Sequence, residues 1–594
     1  MKKQYHTLII GSGCAGFATA ERLHALGVRD IAILTEGREM GTSRNTGSDK
    51  QTYYKLSLCG GEGDSVREMA DTLYEGGCVM GVHALCEAAY STRCFMHLVE
   101  LGVPFPTNEY GEYAGYKTDH DPRSRATSCG PLTSKYMTEA LERAVAEKGI
   151  EILDGWRAIR ILTQGESVAG VACVSAKTGE LLVLGCQNAV LCTGGPACIY
   201  QSTVYPQSQH GATGLAIAAG AALSNMEEWQ YGIASTTFRW NLSGSYQQVL
   251  PRYLSVDENG TEREFLFEAL GERSLGLIFL KGYQWPFDTR KLQGSSQIDL
   301  LVAAERKKGR HVYLDFTQNP KGLENGFAVL PPEAYEYLSH CGVLHGTPVQ
   351  RLAEMNAGAI ALYADHGIDL WRERLEIAVC AQHCNGGVLV DAHWQSNVQG
   401  LYAAGEAAGT FGVYRPGGSA LNSTQVGALR AAEHIAAAPA REILPVSFDL
   451  PPIRYGKSNI SALCSELQSE MSRVADFDRS TVGMQALFAR VCALCDRFFE
   501  EVIAADATEH SALFALQDML LTQRAALSAM LCAARALGSH GAALVDGKAP
   551  QSDAPRATRT RTEGTESRPE AVSPMPDPEL WFETLLARKR SEMQ

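Results

Sequence analysis

An α/β fold with a parallel sheet at its core is what this sequence predicts, and three observations predict it. First, an apolar run from Tyr5 to Ile10 leads into Gly11-Ser12-Gly13-Cys14-Ala15-Gly16 and a helical pattern that stops at Gly27; a further apolar run, Ile31 to Leu34, then ends at Glu36. Second, Asn188 to Leu191 reads as a strand closing on Cys192-Thr193-Gly194-Gly195. Third, Gly400 to Ala404 reads as a strand closing on Gly405-Glu406, and Gly417-Gly418-Ser419-Ala420-Leu421-Asn422-Ser423 then opens a helical stretch to Ala436.

The first segment has the form strand, glycine-rich turn, helix, strand, acid. Gly11 allows the tight turn, Gly13 lets a pyrophosphate approach the backbone, and Gly16 permits close helix–strand packing. The helix N-terminus faces the phosphate, and Glu36, 20 residues after the third glycine, is placed for a ribose hydroxyl. An NAD enzyme would follow this unit with a catalytic domain. Here the Thr-Gly-Gly turn and the Gly-Glu pair add two segments that point to FAD, with Glu406 for the ribityl chain. The helix opening at 419–423 brings a partial positive charge suited to a reduced isoalloxazine. The candidate cofactor residues are Gly11, Gly13, Ala15, Gly16, Glu36, Gly37, Ser43, Thr193, Gly194, Gly195, Gly405, Glu406, Ser419, Ala420 and Leu421.

Composition narrows the class. With 45% hydrophobic and 20% charged residues, the chain is globular, not disordered, collagen-like or coiled coil. Its 594 residues allow about four domain-sized units. A net charge of −14 without a basic stripe argues against a nucleic-acid partner. Seventeen cysteines without a secretion signal read as reduced thiols, and no uncharged apolar run approaches the ~18 residues of a membrane helix. The expectation is a soluble cytoplasmic protein without a membrane span. Cys492-Ala493-Leu494-Cys495 is a lone pair in a helical pattern, and Cys380 to Cys384 lies on the approach to a buried strand, so no metal site is assigned. Without an iron–sulfur or haem motif, one redox centre remains, and its electrons come from outside.

With these segments in this order, the sequence resembles the flavoprotein subunit family of fumarate reductase and succinate dehydrogenase, which also contains L-aspartate oxidase. Glu75-Gly76-Gly77-Cys78 before a helix near 84–101 agrees with it. So does Arg415-Pro416-Gly417-Gly418-Ser419, which resembles the family's arginine–glycine loop. The likeness runs to about residue 440 and implies a Rossmann-like FAD-binding domain, 1–235 and 375–445, interrupted by an α+β capping domain, 236–374. After a hinge at Leu450-Pro451-Pro452, a C-terminal helical domain, 455–594, is expected. Residues 547–577, rich in Pro, Ser, Thr and Arg, read as a flexible excursion, and Glu579 to Lys589 as a closing helix.

Several positions depart from the family. Arg44 or Asn45 stands where covalent members carry the flavin-linking histidine, so non-covalent FAD is expected. Gln230-Tyr231-Gly232-Ile233-Ala234-Ser235 lacks the histidine-proline-threonine element of the respiratory enzymes. Gly294-Ser295-Ser296-Gln297 puts a serine where the proton-shuttling arginine sits, with Arg290 four residues upstream of Gly294 as the nearest replacement. Gln382 replaces the carboxylate-binding histidine, with His383 one position later. Tyr414 replaces an asparagine beside Arg415, and Phe411 a histidine. The candidate catalytic residues are Arg415, His383, Tyr414 and Arg290, with Arg239 and Tyr283 as further acids or clamps. Each also has a structural reading, as a loop pin, a core histidine, packing or a surface charge. The polar segment Tyr113 to Pro131 roofs the site or contacts the adenosine, or else is a solvated loop or a subunit contact, and no catalysis is assigned to it.

The resemblance implies hydride transfer at flavin N5 that reduces, or forms, an activated C=C bond in an unsaturated carboxylate held by Arg415. A single clear clamp points to an enoate other or larger than fumarate. The implied partners are a small carboxylate and an external electron donor such as an iron–sulfur protein. The alternatives are an L-aspartate oxidase-like enzyme and an electron-transfer subunit paired with an iron–sulfur protein, as in adenylylsulfate reductase.

Overall fold

The computed structural model describes residues 4–439, 441–551 and 556–592. The strand Gln4–Ile10 pairs in parallel with Ile31–Thr35 on one side and Leu181–Leu191 on the other. Leu8, Ile9, Ile33, Ala189 and Val190 are fully buried, as befits a parallel sheet covered on both faces. Leu401–Ala403 also runs parallel to Leu181–Leu191. Ile10 is paired with Leu191, and Leu191 with Ala403. The three glycine-bearing turns that follow these residues therefore leave the sheet together, at the carboxyl edge where open α/β sheets bind ligands.

A second, antiparallel sheet runs in the order Trp240–Asn241, Trp229–Ser235, Leu375–Cys384, His311–Asp315, Arg252–Val256 and Glu262–Arg263. The expected boundaries at 235/236 and 374/375 fall within this sheet. Trp229–Ser235 and Leu375–Cys384, both expected in the cofactor domain, pair with each other, and the strands of 236–374 are added at their edges. Both are buried throughout apart from Glu376, so their apolar runs carried no boundary signal.

Three long helices, Ile460–Val474, Thr481–Asp496 and His510–Leu537, form the C-terminal part. The expected excursion at 547–577 differs from the structure. Residues 552–555 lie outside the described residues, but Thr558–Glu563 and Glu566–Ala571 form a β-hairpin that pairs with Leu223–Ser224. Thr-Arg-Thr-Arg-Thr has the period of a strand, with Thr560 and Thr562 buried. Gly564, at φ +59°, opens the two-residue turn. The closing helix runs Phe582–Glu592. Among the described residues, no helix is long and apolar enough to cross a membrane, and no group of three or more His, Cys, Asp or Glu side chains is arranged to hold a metal ion.

Candidate active site

The close approaches at the first turn explain its glycines. Gly11 has φ +110°, and a Cβ there would lie 2.4 Å from the Cys192 carbonyl oxygen; a Cβ on Gly16 would lie 1.9 Å from the Gly11 oxygen. Gly13 is the looser of the three, with Ser43 Oγ 3.1 Å from a Cβ built there. The helix Cys14–Ala25 that follows has glycine at its N-cap and no acid in its first turn; only the neutral Ser43 hydroxyl accepts there, from the Cys14 N–H at 3.2 Å, so its N-terminal dipole is left without a countercharge.

Two cavities meet here. The smaller, about 130 Å³, is lined by Glu36, Gly37, Trp156, Arg157, Thr193 and His210. The larger, about 640 Å³, extends from Ala15, Gly405 and Glu406 past Ala420 and Leu421 to Phe279, Trp285 and Tyr337 of the cap. They share Gly13, Thr42, Ser43, Cys192 and Gly194. Glu36 accepts from Arg157 Nη2 at 2.6 Å. Burial opposes its charge, but Arg157 and His210 hold the carboxyl below its ordinary range. This shape, an ionised acid at one end, glycines and a helix N-terminus without an acid in the middle and a wide chamber at the other, fits an extended dinucleotide such as FAD. Gly16, Gly195 and Ser419 do not line either cavity; a Cβ on Gly195 would lie 2.3 Å from Glu406 Oε1, and Ser419 Oγ accepts from Arg415 Nη1 at 3.3 Å.

Arg415 and His383 both line the large chamber. Arg415 Nη2 donates to Gln230 Oε1 at 2.6 Å, and its buried Nε meets no hydrogen-bond partner. Burial draws its pKa down to about 10, against the pull of Glu406, Tyr205 and Glu87. Glu406 is pushed up to about 7 by burial, although Tyr205 and the Cys384 N–H donate to it.

His383 Nδ1 lies 2.9 Å from Asn385 Oδ1, and the Asn385 amide nitrogen donates to the Gly412 carbonyl. The asparagine thus turns its oxygen to the ring, so Nδ1 carries the proton. Burial and Arg415 push the imidazole pKa well below its ordinary value. Its Nε2 is then a bare acceptor, buried without a hydrogen-bond partner and 3.8 Å from Glu406 Oε1, so it offers a carboxylate no donor.

The residue at the expected second clamp is also committed elsewhere. Gln382 accepts from Asn241 Nδ2 at 2.7 Å and donates to the Gly232 carbonyl at 3.0 Å. Tyr414 and Arg290 do not line the chamber. They pair with each other, the guanidinium 3.4 Å from the ring centroid, while Arg290 also binds Asp288 at 2.9 Å. Arg290 favours the phenolate, as a neighbouring cation should, but burial outweighs it and pushes the Tyr414 pKa up to about 12. Arg239 donates to the Tyr205 carbonyl and is likewise off the chamber. Phe411 packs edge-on to His383 at 4.8 Å, behind the lining.

Sequence reasoning missed much of the cap wall. Phe279, Trp285, Glu333 and Tyr337 line it; Trp285 sits in the aromatic turn Gln284-Trp285-Pro286-Phe287, and the other three had no sequence signal. The polar loop does roof the site: Tyr116, Lys117, Thr118, Asp119 and His120 all line the chamber. Arg157 and His210 at Glu36 had no sequence signal.

Comparison with known proteins matches residues 6–421 to the family described as FAD binding domain. A subunit of the fumarate reductase (CoM/CoB) of Methanothermobacter marburgensis is 26% identical, over 90% of this chain and 93% of its own. L-aspartate oxidase of Streptomyces coelicolor is 26% identical, over 73% of this chain and 68% of its own. Among solved structures, quinol fumarate reductase FrdA of E. coli superposes with a TM-score of 0.71 at 17% identity, covering 98% of both chains. Adenylylsulfate reductase of Archaeoglobus fulgidus gives 0.64 at 15% identity, covering 98% of this chain and 97% of the other. At these identities the structural likeness bears on fold alone.

Proposed function

Because the chain belongs to the FAD binding domain family and is an FAD-dependent oxidoreductase, we propose that it reduces, or in reverse forms, the activated C=C bond of an unsaturated carboxylate. The observation that carries this reading is Arg415: a cation in the chamber wall whose hydrogen bonds go to the neutral oxygens of Gln230 and Ser419. A substrate carboxylate there would gain a charge-assisted pair, and withdrawal of electron density through it activates the double bond. FAD, when bound and reduced, would supply the hydride for one carbon, and the other carbon would take a proton.

Gly11, Gly13, Ser43 and Glu36 would hold the adenosine diphosphate half, and Gly405, Glu406, Ala420 and Leu421 the flavin half. The cofactor is held without a covalent link: Arg44 is spent on Glu142 at 2.6 Å and Asn45 on the Gly41 carbonyl at 2.9 Å. Electrons come from an external donor such as an iron–sulfur protein. The relatives named L-aspartate oxidase support a second reading, in which L-aspartate reduces the flavin. That substrate brings a second carboxylate, and the Asn241–Gln382 pair offers it no cation. Anaerobic turnover with reduced methyl viologen and a panel of enoates tests the proposal. Formation of a saturated acid supports it; viologen left unoxidised, with flavin bleached by L-aspartate, contradicts it.

A further inference from the structure

We propose that the cap end of the chamber takes the ring of an aromatic monocarboxylic enoate, a substrate class that rests on the enoate reading above. Charge is the first argument. Of the cations that line the chamber, Lys50 and Lys117 are exposed, and only Arg415 is half-buried. The amide pair Asn241–Gln382 is neutral and internally satisfied. The acids that line the chamber are already engaged: Glu333 by the Tyr283 hydroxyl, Asp119 by Lys291 at 2.6 Å, Asp49 by the Ser245 N–H at 2.7 Å and Glu406 by the Tyr205 hydroxyl. A dicarboxylate would leave one charge desolvated without a partner.

Surface chemistry is the second argument. Phe279, Tyr283, Trp285 and Tyr337 line the cap end together. Phe279 is buried on the helix Arg273–Lys281 and meets Tyr337 edge-on at 5.4 Å between ring centroids. The polar tips of the two tyrosines are engaged, Tyr283 on Glu333 and Tyr337 on Gln248 Oε1 at 3.2 Å. What they offer a ligand is ring carbon. Trp285 lies against Gly232, where a Cβ would come within 2.9 Å of the indole, so glycine makes room for it. Aromatic walls at the usual ring-to-ring spacings favour a flat apolar substituent over a second carboxylate.

The step balances as a two-electron reduction. The C=C π bond is replaced by two C–H bonds, one from hydride and one from a proton. The two electrons come from the reduced flavin, which two equivalents of a one-electron low-potential donor, methyl viologen radical in the assay, would restore.

The test uses the holoenzyme, reduced anaerobically and mixed with fumarate, crotonate or cinnamate. The expected kcat/KM for cinnamate exceeds that for fumarate by about 30-fold or more. Trp285→Ala and Tyr337→Ala should each lower the cinnamate-to-crotonate ratio about tenfold. Binding of 3-phenylpropanoate and succinate to the oxidised holoenzyme, read from the flavin absorbance, gives the same preference without turnover. Faster reoxidation by fumarate, with tighter succinate binding, overturns this inference while the enoate reading stands. Silence with every enoate overturns that reading, and this inference with it.

Discussion

Arg415 donates to the side-chain oxygen of Gln230 at 2.6 Å, so the chamber's half-buried cation rests on an amide and not on a carboxylate. The amide orients the guanidinium without neutralising it. A glutamate at this position would satisfy the arginine within the protein. We expect Gln230→Glu to raise KM for an enoate by about 10- to 100-fold while the flavin content stays at the wild-type level. Steady-state kinetics checks this, and an unchanged KM would separate Gln230 from substrate binding.

The three turn glycines should separate by phenotype. Ala at Gly11 or Gly16 meets backbone oxygen at 2.4 or 1.9 Å, so the protein itself should lose stability. Gly13 has φ −83°, and a Cβ there would press only on the Ser43 hydroxyl, 3.1 Å away, a side-chain end that can shift. Gly13→Ala should therefore leave the apoprotein's melting temperature within about 2 °C and weaken FAD by about 10-fold or more, because the phosphate can no longer approach the backbone. Isothermal titration of FAD into the apoprotein, alongside thermal melts, measures both.

Acid precipitation should release the whole of the flavin to the supernatant. Flavin fluorescence retained by the denatured band would show a covalent link and contradict the reading of Arg44 and Asn45.

Glu87 gives a pH signature independent of the ligand. It is buried against Ser423, whose hydroxyl donates at 2.7 Å, and burial pushes its pKa up to about 7. Unfolded, it titrates near the ordinary glutamate value. The folded state therefore holds this proton more tightly, and the stability that comes with it is lost as pH rises from about 4.5 to about 7. The loss is on the order of 3 kcal/mol. Glu87→Gln removes the titration, so the variant should gain on the wild type as pH rises from 5 to 8, read as the difference in apparent melting temperature. A difference independent of pH would contradict the assignment.

The elements legible in the sequence were those whose chemistry is local. Gly11, Gly13 and Gly16 carry their turn in their spacing, and Glu36 follows at a fixed offset, so the cofactor edge of the sheet could be placed before any tertiary contact was known. Arg415 came with its own glycine loop. Tyr414 and Arg290 could not be read correctly, because their mutual stacking and their distance from the chamber depend on how the cap and the 411–415 loop pack. His383 was found, but its role as an acceptor hangs on Asn385 and the Gly412 carbonyl. The hairpin at 558–571 was hidden because its turn-rich composition outweighed a period-two pattern, and only the partner strand Leu223–Ser224 decides between the two.

The most direct test is single-turnover reoxidation of the anaerobically reduced enzyme, comparing wild type with Arg415→Lys at matched flavin content. The account predicts that an α,β-unsaturated acid restores the oxidised flavin absorbance in the wild type with one saturated acid formed per flavin, and that the variant is slower by about 10²- to 10³-fold. Reoxidation of the variant at the wild-type rate, or a wild-type flavin that no enoate reoxidises, would contradict it.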